Sequence, residues 1–384
     1  MTTTSKPPLW SWAVLATVTE GTPDGVPATP ISGVSIDSRS IASGDLFVAL
    51  KDQRDGHDFV TTAFRNGAAA ALVSKSYERK PGDTALLRVP DPLRALEEIG
   101  RIARFRTDAK VVAVTGSVGK TSTKEMLRVC LSSLGPTHAS EKSYNNHWGV
   151  PLTLARMPEA ARFGVFEIGM NHAGEITPLT RMVAPDIAIV TTVEPVHIEF
   201  FPNEEGIADA KAEIFLGVKR GGVVVLNSDN RHFARLEARA SALGLRVVAF
   251  GTTDAAHVRA TAIETDAEGS SVTATIGGRS LSWRVGMPGR HMALNSLAVA
   301  ATLHQLGLDL EVALAPLALM KPPSGRGARE RLAITGGELL LVDESYNANP
   351  ASMRAALSVL STVPRNEWPR RVAVLGDMRE LGAD

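Results

Sequence analysis

The chain has little that would suit it to an oxidising compartment, a membrane or a charged polymer. It contains one cysteine, Cys130, so no disulfide can form within the chain and a reducing compartment is expected. It has no run of about 18 apolar residues, and its N-terminus lacks the apolar run of a signal peptide. Lysine plus arginine and aspartate plus glutamate both number 41. This zero net charge gives no reason to expect nucleic acid or an anionic membrane as a partner, and we expect a cytoplasmic protein.

What the chain does contain is an alternation of short β-branched runs with longer helical patterns. The apolar runs lie at 111–115, 163–168, 187–193, 222–227 and 246–250. This alternation is typical of an α/β fold built on a mostly parallel, doubly wound sheet. Residues 31–108 add short strands and a helical pattern at 92–106, which predicts a smaller α/β domain before the central sheet.

The residues after the central sheet predict a third domain. The stretch Pro-Pro-Ser-Gly-Arg-Gly-Ala at 322–328 is typical of a linker. Beyond it, 339–342 and 372–375 are predicted to be buried strands on either side of a helix around 350–361. The predicted domains are therefore 1–108, 109–327 and 328–384. The third is shorter than the roughly 100–150 residues of an ordinary domain, so we expect it to be incomplete.

A glycine-rich turn joins the strand at 111–114 to a predicted helix at 120–134. Gly116 and Gly119 would let the backbone turn so that its N–H groups and the positive end of the helix dipole face an anion. Lys120 would reach the outer phosphates of a nucleotide, and the Thr121 hydroxyl would bind Mg²⁺. Val114 stands where the usual pattern has its first glycine. An ordinary strand–turn–helix with a surface lysine is the weaker alternative, because Gly-Lys-Thr stands at a strand-to-helix turn.

Two side chains near the ends of later strands are candidate neighbours of Mg²⁺. Glu167 lies near the end of the run 163–168, where a buried carboxylate is costly unless it is paired or metal-bound. Ligands bind at the carboxyl ends of the strands in such sheets. His197 follows the run 187–193 in a loop, where a histidine by itself is as easily structural or solvated as a ligand.

Lys211 lies on the inward face of a predicted helix, because its neighbours one turn away are all apolar. Those neighbours are Ile207, Ala208, Ile214 and Phe215. A desolvated lysine has a lowered pKa and becomes a nucleophilic amine. Such an amine can capture CO₂ as a carbamate, which is an anionic oxygen ligand for Mg²⁺. A lysine that extends to solvent is an equal alternative on spacing alone.

Several stretches, in order along the chain, are similar to the Mur ligases and their folylpolyglutamate synthetase relatives. The loop at 115–121 (TGSVGKT) resembles their ATP loop, which also lacks the first glycine. Further matches are 144–154 (YNNHWGVPLTL), 167–176 (EIGMNHAGEI), 210–215 (AKAEIF), 289–295 (GRHMALN) and 324–326 (SGR). The stretches 343–353 (DESYNANPASM) and 375–382 (LGDMRELG) resemble the branch that adds D-alanyl-D-alanine. Residues 36–39 (IDSR), 44–50 (GDLFVAL) and 55–59 (DGHDF) resemble the UDP-binding domain of that branch. Two departures are mild: Glu344 replaces the second aspartate of the 343–353 signature, and Asp52 stands where a glycine is common.

The resemblance implies three domains: a small N-terminal α/β UDP-binding domain, a central ATP-binding sheet of the phosphate-loop type, and a partial C-terminal Rossmann-like domain. It implies an ATP-dependent ligase that joins D-alanyl-D-alanine to UDP-N-acetylmuramoyl-tripeptide through an acyl phosphate, in peptidoglycan precursor synthesis. The implied cofactors are ATP, Mg²⁺ at two sites and a CO₂-derived carbamate on Lys211. A monomer is expected, and the third residue of the tripeptide, diaminopimelate or lysine, stays open.

The resemblance also implies roles for individual residues. Lys120, Glu167, His197 and Lys211 form the catalytic set, with one Mg²⁺ on Thr121 and Glu167 and a second on His197 and carbamylated Lys211. ATP binding is implied for Gly116, Ser117, Val118, Gly119, Lys120, Thr121, Ser122, Asn295 (adenine), Arg326 (phosphates) and Asp343 (ribose, or orientation of the linker). Ser38, Arg39, Asn145 and Asn146 are implied at the UDP substrate, and Tyr346, Asn347 and Asn349 on the dipeptide side.

Three alternatives stay open at this point. Asparagine tolerates left-handed backbone, so Asn145, Asn146, Asn347 and Asn349 are equally suited to turns. The chain could be another Mur ligase or a folylpolyglutamate synthetase, against which the N-terminal block and 343–353 speak. It could also be a non-catalytic nucleotide-binding fragment, a reading that the short third domain permits.

Overall fold

The computed structural model describes residues 7–141, 143–378 and 380. Its helices are α1 (Trp12–Val18), α2 (Val60–Arg65), α3 (Pro92–Phe105), α4 (Lys120–Ser132), α5 (Gly149–Ala155), α6 (Ile176–Val183), α7 (Glu204–Ala212), α8 (Phe233–Ala242), α9 (Arg290–Gln305), α10 (Leu310–Leu314) and α11 (Pro350–Thr362). Its strands are β1 (Thr22–Asp24), β2 (Gly33–Ser35), β3 (Asp45–Val48), β4 (Ala70–Ser74), β5 (Leu86–Val89), β6 (Lys110–Thr115), β7 (Thr137–Ala139), β8 (Phe163–Glu167), β9 (Ile187–Val190), β10 (Val223–Asn227), β11 (Arg246–Gly251), β12 (Val258–Thr265), β13 (Ser270–Ile276), β14 (Arg279–Val285), β15 (Ala328–Ile334) and β16 (Gly337–Asp343). No helix among the described residues is long and apolar enough to cross a membrane.

The chain divides into two compact units. The first unit takes in residues up to 109 and 138–164, and the second takes in 110–137 and everything after 164. The predicted boundary at 108 lies beside the first division. The predicted division into 1–108, 109–327 and 328–384 stays a prediction.

The first unit is an α/β layer around a sheet with the order β1-β5-β4-β3-β2. Strands β2 to β5 are parallel, and β1 pairs antiparallel with β5. Successive side chains of β3 point to opposite faces of the sheet. Leu46 and Val48 therefore lie in one buried cluster, while Phe47 lies in the other. Both faces of this sheet are covered, as a parallel sheet requires.

The second unit carries a long sheet with the order β14-β13-β12-β11-β10-β9-β6-β8-β7. The division between the units passes through β7 and β8. Strands β6, β9, β10, β11 and β12 pair in parallel, which confirms the predicted parallel sheet. The antiparallel meander β12-β13-β14 was not predicted. Its strands are half-exposed, with polar residues alternating with apolar ones, so they lack the continuous apolar runs that revealed the buried parallel strands.

The strand order creates a crevice at the carboxyl edge of the second unit's sheet. β6 lies between β9 and β8, and the later strands β10 and β11 extend on the β9 side. The chain therefore leaves β6 and β9 in opposite directions across the sheet. Ligands bind at such a switch point in open α/β sheets. The loops that follow β6 and β9 are consequently the first place to look for a site.

The last part of the chain differs from its prediction. Residues 339–342 do form a strand, within β16, but the predicted burial was wrong, since Leu341 is 43% exposed. Among the described residues β16 pairs with β15 alone, in an antiparallel hairpin, so both of its faces lack a second layer of strands. Residues 372–375 were predicted to be a buried strand, and this prediction was wrong: they have no regular structure, and Val374 is 93% exposed. A strand needs a neighbour for its backbone groups, and the described residues provide none for this segment. Arg379 and residues 381–382 of the 375–382 motif lie outside the described residues.

Candidate active site

The glycine-rich turn after β6 is a tightly constrained loop. Gly116 has φ +148°, and a Cβ at this position would lie 1.9 Å from Thr191 Oγ1. Gly119 has φ +84° and immediately precedes α4, where a Cβ would lie 2.8 Å from Asn295 Oδ1. Both positions therefore demand glycine for conformation and for space. Val114, which replaces the first glycine of the common pattern, is a fully buried residue of β6, so the turn simply starts later.

The loop after β9 supports this turn from the side. Thr191 Oγ1 donates to Val118 O at 2.6 Å, and Ser117 N donates to Thr192 O at 2.9 Å. Ser117 Oγ donates to Glu194 O at 2.9 Å. The turn is therefore fixed to the β9 loop through the Val118 carbonyl and through the N–H and hydroxyl of Ser117. An anion-binding loop requires a fixed backbone whose N–H groups can converge on the anion.

A further layer of asparagine side chains holds the β9 loop. Asn227 Nδ2 donates to Thr191 O at 3.3 Å, and Asn230 Nδ2 donates to Thr192 Oγ1 and Val193 O, both at 2.9 Å. The sequence analysis missed Thr191, Asn227 and Asn230. Their positions just after β9 and β10, at the same sheet edge as the glycine turn, were the only sequence signal for them.

Asn295 joins α9 to the first turn of α4. Its Nδ2 donates to Ser122 Oγ at 3.0 Å, and its amide lies against Gly119. Thr121, the predicted Mg²⁺ ligand, is buried in the same turn. The structure thus places Asn295 beside the glycine turn, while its predicted contact with adenine stays a prediction.

Lys120, which is partly buried, and Lys211, which is buried, lie on different helices. Lys120 Nζ folds back over its own loop and donates to Gly116 O at 2.7 Å. Lys211 is 3% exposed, so its side chain does not extend into solvent, and Ile207, Ala208, Ile214 and Phe215 around it are buried as predicted. Burial lowers the pKa of both lysines, that of Lys211 to well below its ordinary value, and Lys120 lowers the pKa of Lys211 further. Lys211 therefore has the chemistry of a neutral amine more than that of a surface lysine.

His197 and Glu167 both interact electrostatically with Lys120. Burial lowers the pKa of His197, and both lysines lower it further, while Glu380 opposes the shift. His197 Nδ1 makes a hydrogen bond with the Glu380 carboxylate. Glu167, 1% exposed at the end of β8, acts on the pKa of Lys120 in the opposite direction from burial. The predicted catalytic set is therefore brought together in the second unit. Glu380, which orients His197, was not predicted as its partner.

The donor set fits a magnesium ion that is also bound by phosphate oxygens. Thr121 and Glu167 offer a hydroxyl and a carboxylate, which are the hard oxygen ligands that Mg²⁺ prefers. Within the described residues, no group of three or more His, Cys, Asp or Glu side chains could hold a metal by itself. Mg²⁺ is usually held by one or two carboxylates plus substrate phosphates, and the Glu167 carboxylate with the Thr121 hydroxyl fits that pattern.

The predicted linker is organised by one carboxylate, that of Asp343 at the end of β16. Its Oδ2 accepts from Gly325 N at 2.8 Å, and its Oδ1 accepts from Ser345 Oγ at 2.6 Å. The Ser345 hydroxyl is the main cause of the lowered pKa of Asp343. The Arg326 guanidinium stacks 4.0 Å above the centre of the Tyr346 ring. Asp343 thus orients the linker region, and its predicted contact with ribose stays a prediction.

The asparagines of the 343–353 motif form local turn and cap contacts. Asn347 Oδ1 accepts from Ala348 N at 2.8 Å. Asn349 caps α11: its Oδ1 accepts from Ser352 N at 2.9 Å, and Ser352 Oγ accepts in return from Asn349 N. The turn chemistry left open for these residues is therefore present. Tyr346 is exposed, and the roles of all three on the dipeptide side stay predictions.

The residues predicted at the UDP end all lie in the first unit. Ser38 is buried and its carbonyl accepts from Asn66 Nδ2 at 2.8 Å, while the Arg39 side chain is 86% exposed and paired with Asp37. In the 144–154 motif, Asn145 N donates to Ser143 O at 2.8 Å. Asn146 Oδ1 accepts from Gly149 N at 3.0 Å and so supports the start of α5.

The 55–59 motif of the first unit has a structural role that the sequence analysis missed. The His57 ring bonds Asp55 Oδ1 through Nδ1 at 2.6 Å and accepts from Ser74 N through Nε2 at 2.9 Å. His57 therefore joins the loop after β3 to the end of β4. These two bonds assign the proton to Nδ1.

A phosphate-type loop at the switch point of a parallel sheet lies beside a partly buried lysine, a buried lysine and a buried carboxylate. This combination defines the class of nucleotide-binding α/β enzymes. Two family models match the chain. The "Mur ligase middle domain" matches residues 114–303, and "Mur ligase family, catalytic domain" matches residues 30–104. The chain belongs to the Mur ligase family.

The relatives that the chain resembles narrow the class further. The UDP-N-acetylmuramoyl-tripeptide–D-alanyl-D-alanine ligase of Escherichia coli K12 is 38% identical over 92% of this chain and 76% of the relative. The enzyme of the same name from Rickettsia prowazekii is 33% identical over 91% of this chain and 76% of the relative.

Solved structures show the same likeness. MurF from Acinetobacter baumannii superimposes with a TM-score of 0.81 at 32% identity, covering 97% of this chain and 80% of that one. MurF ligase from Thermotoga maritima, solved in complex with ADP, gives 0.74 at 25% identity, covering 91% of this chain and 78% of that one. A folylpolyglutamate synthetase mutant from L. casei, at 15% identity and a TM-score of 0.57, shares the fold alone.

Proposed function

We propose that this chain is an ATP-dependent ligase that adds D-alanyl-D-alanine to UDP-N-acetylmuramoyl-tripeptide in peptidoglycan precursor synthesis. The observation that carries the proposal is the 38% identity, over 92% of this chain, to an enzyme named for that reaction. The converging Lys120, Glu167, His197 and Lys211 support it, because a ligase must neutralise phosphate charge while it activates a carboxylate. A cytoplasmic monomer follows from the same proposal.

The loop and its lysine bind the nucleotide phosphates. Gly116 to Ser122 present backbone N–H groups to the phosphates, and Lys120 leaves the carbonyl of Gly116 to bind the β- and γ-phosphates. Transfer of the γ-phosphoryl group of ATP to the substrate carboxylate forms an acyl phosphate and releases ADP. Two Mg²⁺ ions, when bound, would supply charge neutralisation for this transfer. Thr121 and Glu167 would hold one ion, and His197 with a modified Lys211 would hold the other. Asn295 is assigned to adenine, Asp343 to the ribose side and Arg326 to the phosphates.

The state of Lys211 follows from its surroundings. Because burial and Lys120 lower its pKa well below the ordinary lysine value, the neutral amine is favoured more than in a surface lysine. The amine nitrogen forms a bond to the carbon of CO₂ and loses one proton, which leaves a carbamate with one negative charge. That reaction places an anion beside the Lys120 cation and releases the proton to solvent. We propose that Lys211 is carbamylated and that, together with His197, it would hold an Mg²⁺ ion facing the substrate carboxylate.

The remaining substrate contacts are assigned within each unit separately. Ser38, Arg39, Asn145 and Asn146 of the first unit are assigned to the UDP precursor, since arginine suits the geometry of a diphosphate. Tyr346, Asn347 and Asn349 of the second unit are assigned to the dipeptide side, where the local bonds of the two asparagines fix the backbone that carries them.

Phosphate release from ATP tests the function directly. Release should require both UDP-N-acetylmuramoyl-tripeptide and D-alanyl-D-alanine, and precursors that end in lysine and in diaminopimelate should be compared. Equal release with a single amino acid in place of the dipeptide would instead indicate another Mur ligase. Nucleotide binding without release would indicate a non-catalytic nucleotide-binding protein.

The carbamate has a separate test. Lys211→Ala should abolish release, and added acetate or formate should restore part of it by supplying the missing carboxylate. If Lys211→Ala keeps full activity at low CO₂, the carbamate assignment is wrong while the ligase assignment stands.

A further inference from the structure

Glu213 lies two residues after Lys211 and is bound to the segment that follows Glu167. Its carboxylate accepts three hydrogen bonds: from Gly174 N at 2.6 Å, from Thr177 N at 3.0 Å and from Thr177 Oγ1 at 2.9 Å. A side chain at the end of one helix therefore fixes the beginning of another.

These hydrogen bonds cap α6, which begins at Ile176. The first N–H groups of a helix have no partner within it, and negative charge is favourable there. The contact continues past the cap, because Thr180 Oγ1 donates to Ile214 O at 2.8 Å. A Cβ on Gly217 would lie 2.2 Å from Thr180 O, so the backbones are in close contact. The end of α7 and the start of α6 therefore cannot shift independently.

This junction joins two elements that carry the proposed metal-side groups. Glu167 ends β8, and the loop 168–175 leads from it to α6; Lys211 lies on α7. The segment 168–177 and the end of α7 meet at Glu213. We propose that Glu213 is a positioning residue that fixes the loop after Glu167 against the helix of Lys211, and so sets the geometry between these two groups. The inference rests on the proposed function, since it concerns the same site.

Asp209 provides a matched control on the same helix. It lies two residues before Lys211, as Glu213 lies two residues after it. Its carboxylate pairs with Arg235 at 2.7 and 2.8 Å and with Arg239 at 2.9 Å, all towards α8. Both residues are carboxylates at equal distance in sequence from Lys211. Glu213 binds the segment that follows Glu167, whereas Asp209 binds α8.

The variants to compare are Glu213→Ala, Glu213→Gln, Thr177→Val and Asp209→Asn. Small displacements of reacting groups cost up to about a hundredfold in rate, so Glu213→Ala should lower kcat by roughly tenfold to a hundredfold. Glu213→Gln and Thr177→Val keep part of the cap, so their kcat values should lie between those of the unaltered protein and Glu213→Ala. KM for the UDP precursor should stay within about twofold, because positioning of the reacting groups affects kcat more than ground-state binding. Asp209→Asn should change kcat by no more than about twofold.

Amide hydrogen exchange gives a readout that does not depend on activity. In Glu213→Gln, exchange should rise together at 168–177 and at the end of α7, whereas Asp209→Asn should raise exchange only along α7 and α8. A fall in kcat equal in Glu213→Gln and Asp209→Asn, or exchange that rises throughout the second unit, would overturn the inference. If the unaltered protein releases no phosphate, the proposed function fails, and the exchange pattern still decides the role of Glu213. If Glu213→Ala does not fold, Glu213→Gln and Thr177→Val carry the test.

Discussion

The proposed ATP loop in the second unit and the proposed UDP-binding turn in the first unit are supported by different kinds of contact. The glycine turn of the second unit is fixed by residues far away in sequence, with Thr191 below Gly116 and Val118, and Asn295 beside Gly119. The turn around Arg39 in the first unit is held mainly by its own neighbour, since Asp37 accepts from the Arg39 backbone N–H and from its guanidinium. The first region therefore depends on tertiary structure, and the second largely carries its own geometry.

The largest loss of nucleotide affinity is expected at Gly116, where the glycine turn contacts Thr191. Gly116→Ala places a Cβ 1.9 Å from Thr191 Oγ1 at a backbone angle that side chains rarely adopt. We expect nucleotide affinity to fall more than about a hundredfold, because the loop must move to admit the methyl group. Calorimetric titration with ADP and Mg²⁺ measures this. The control is Gly221→Ala, also at positive φ but with open space around it, which should leave ADP affinity unchanged. Equal losses in both variants would mean that backbone strain alone matters.

The next effect concerns the free energy of unfolding, to which the burial of Lys211 contributes unfavourably. Because the pKa of Lys211 is lowered in the folded state, the unfolded chain binds more protons between the folded and unfolded values, and stability rises with pH in that window. Lys211→Met should therefore raise the free energy of unfolding at neutral pH by on the order of 1–3 kcal/mol. The gain should shrink as pH approaches about 10.4, the pKa of an unfolded lysine.

Urea unfolding at several pH values in CO₂-free buffer measures this difference. Lys75→Met, at an exposed lysine of the first unit, is the control and should show no comparable pH-dependent gain. A loss of stability in Lys211→Met at neutral pH would contradict the cost assigned to the buried lysine.

A smaller effect is expected when only one supporting hydrogen bond is removed. Thr191→Val keeps the shape of the side chain but removes the donor to Val118 O, and a hydrogen bond of this kind contributes about 1 kcal/mol. We expect ADP to bind roughly fivefold to tenfold more weakly. Thr191→Ser keeps the hydroxyl and should bind ADP nearly as well as the unaltered protein. If valine and serine behave alike, packing against Gly116, not the hydrogen bond, supports the loop.

The smallest effect on the fold is expected at Arg39. Its side chain is 86% exposed and its ion pair is local, so Arg39→Ala should leave the melting temperature unchanged. Affinity for a UDP ligand should fall about tenfold if the guanidinium binds the diphosphate. Thermal unfolding measures the effect on stability, and a UDP titration measures the effect on ligand affinity. A clear drop in melting temperature would show that this turn is also supported by tertiary contacts.

The sequence predicted most of the parallel framework and missed what supports the site. The strands β6, β8, β9, β10 and β11 were found because buried parallel strands are continuous apolar runs. Lys211 was placed inward because its neighbours one turn away are apolar. The meander β12–β14 was missed because its polar and apolar residues alternate. The segment 372–375 was wrongly predicted to be a buried strand, because an apolar run forms a strand only where a neighbouring strand is available.

The sequence by itself determined the parallel α/β layers, the glycines of the turn and the inward direction of Lys211, because each follows from local spacing and backbone freedom. Tertiary structure alone decided that Thr191 and Asn295 close around that turn, that Glu380 orients His197, and that Glu213 joins the segment after Glu167 to the helix of Lys211. Those pairs are separated by tens of residues or more along the chain. Whether their hydrogen bonds form depends on how the strands and helices are arranged in space. No local pattern of side chains encodes that arrangement.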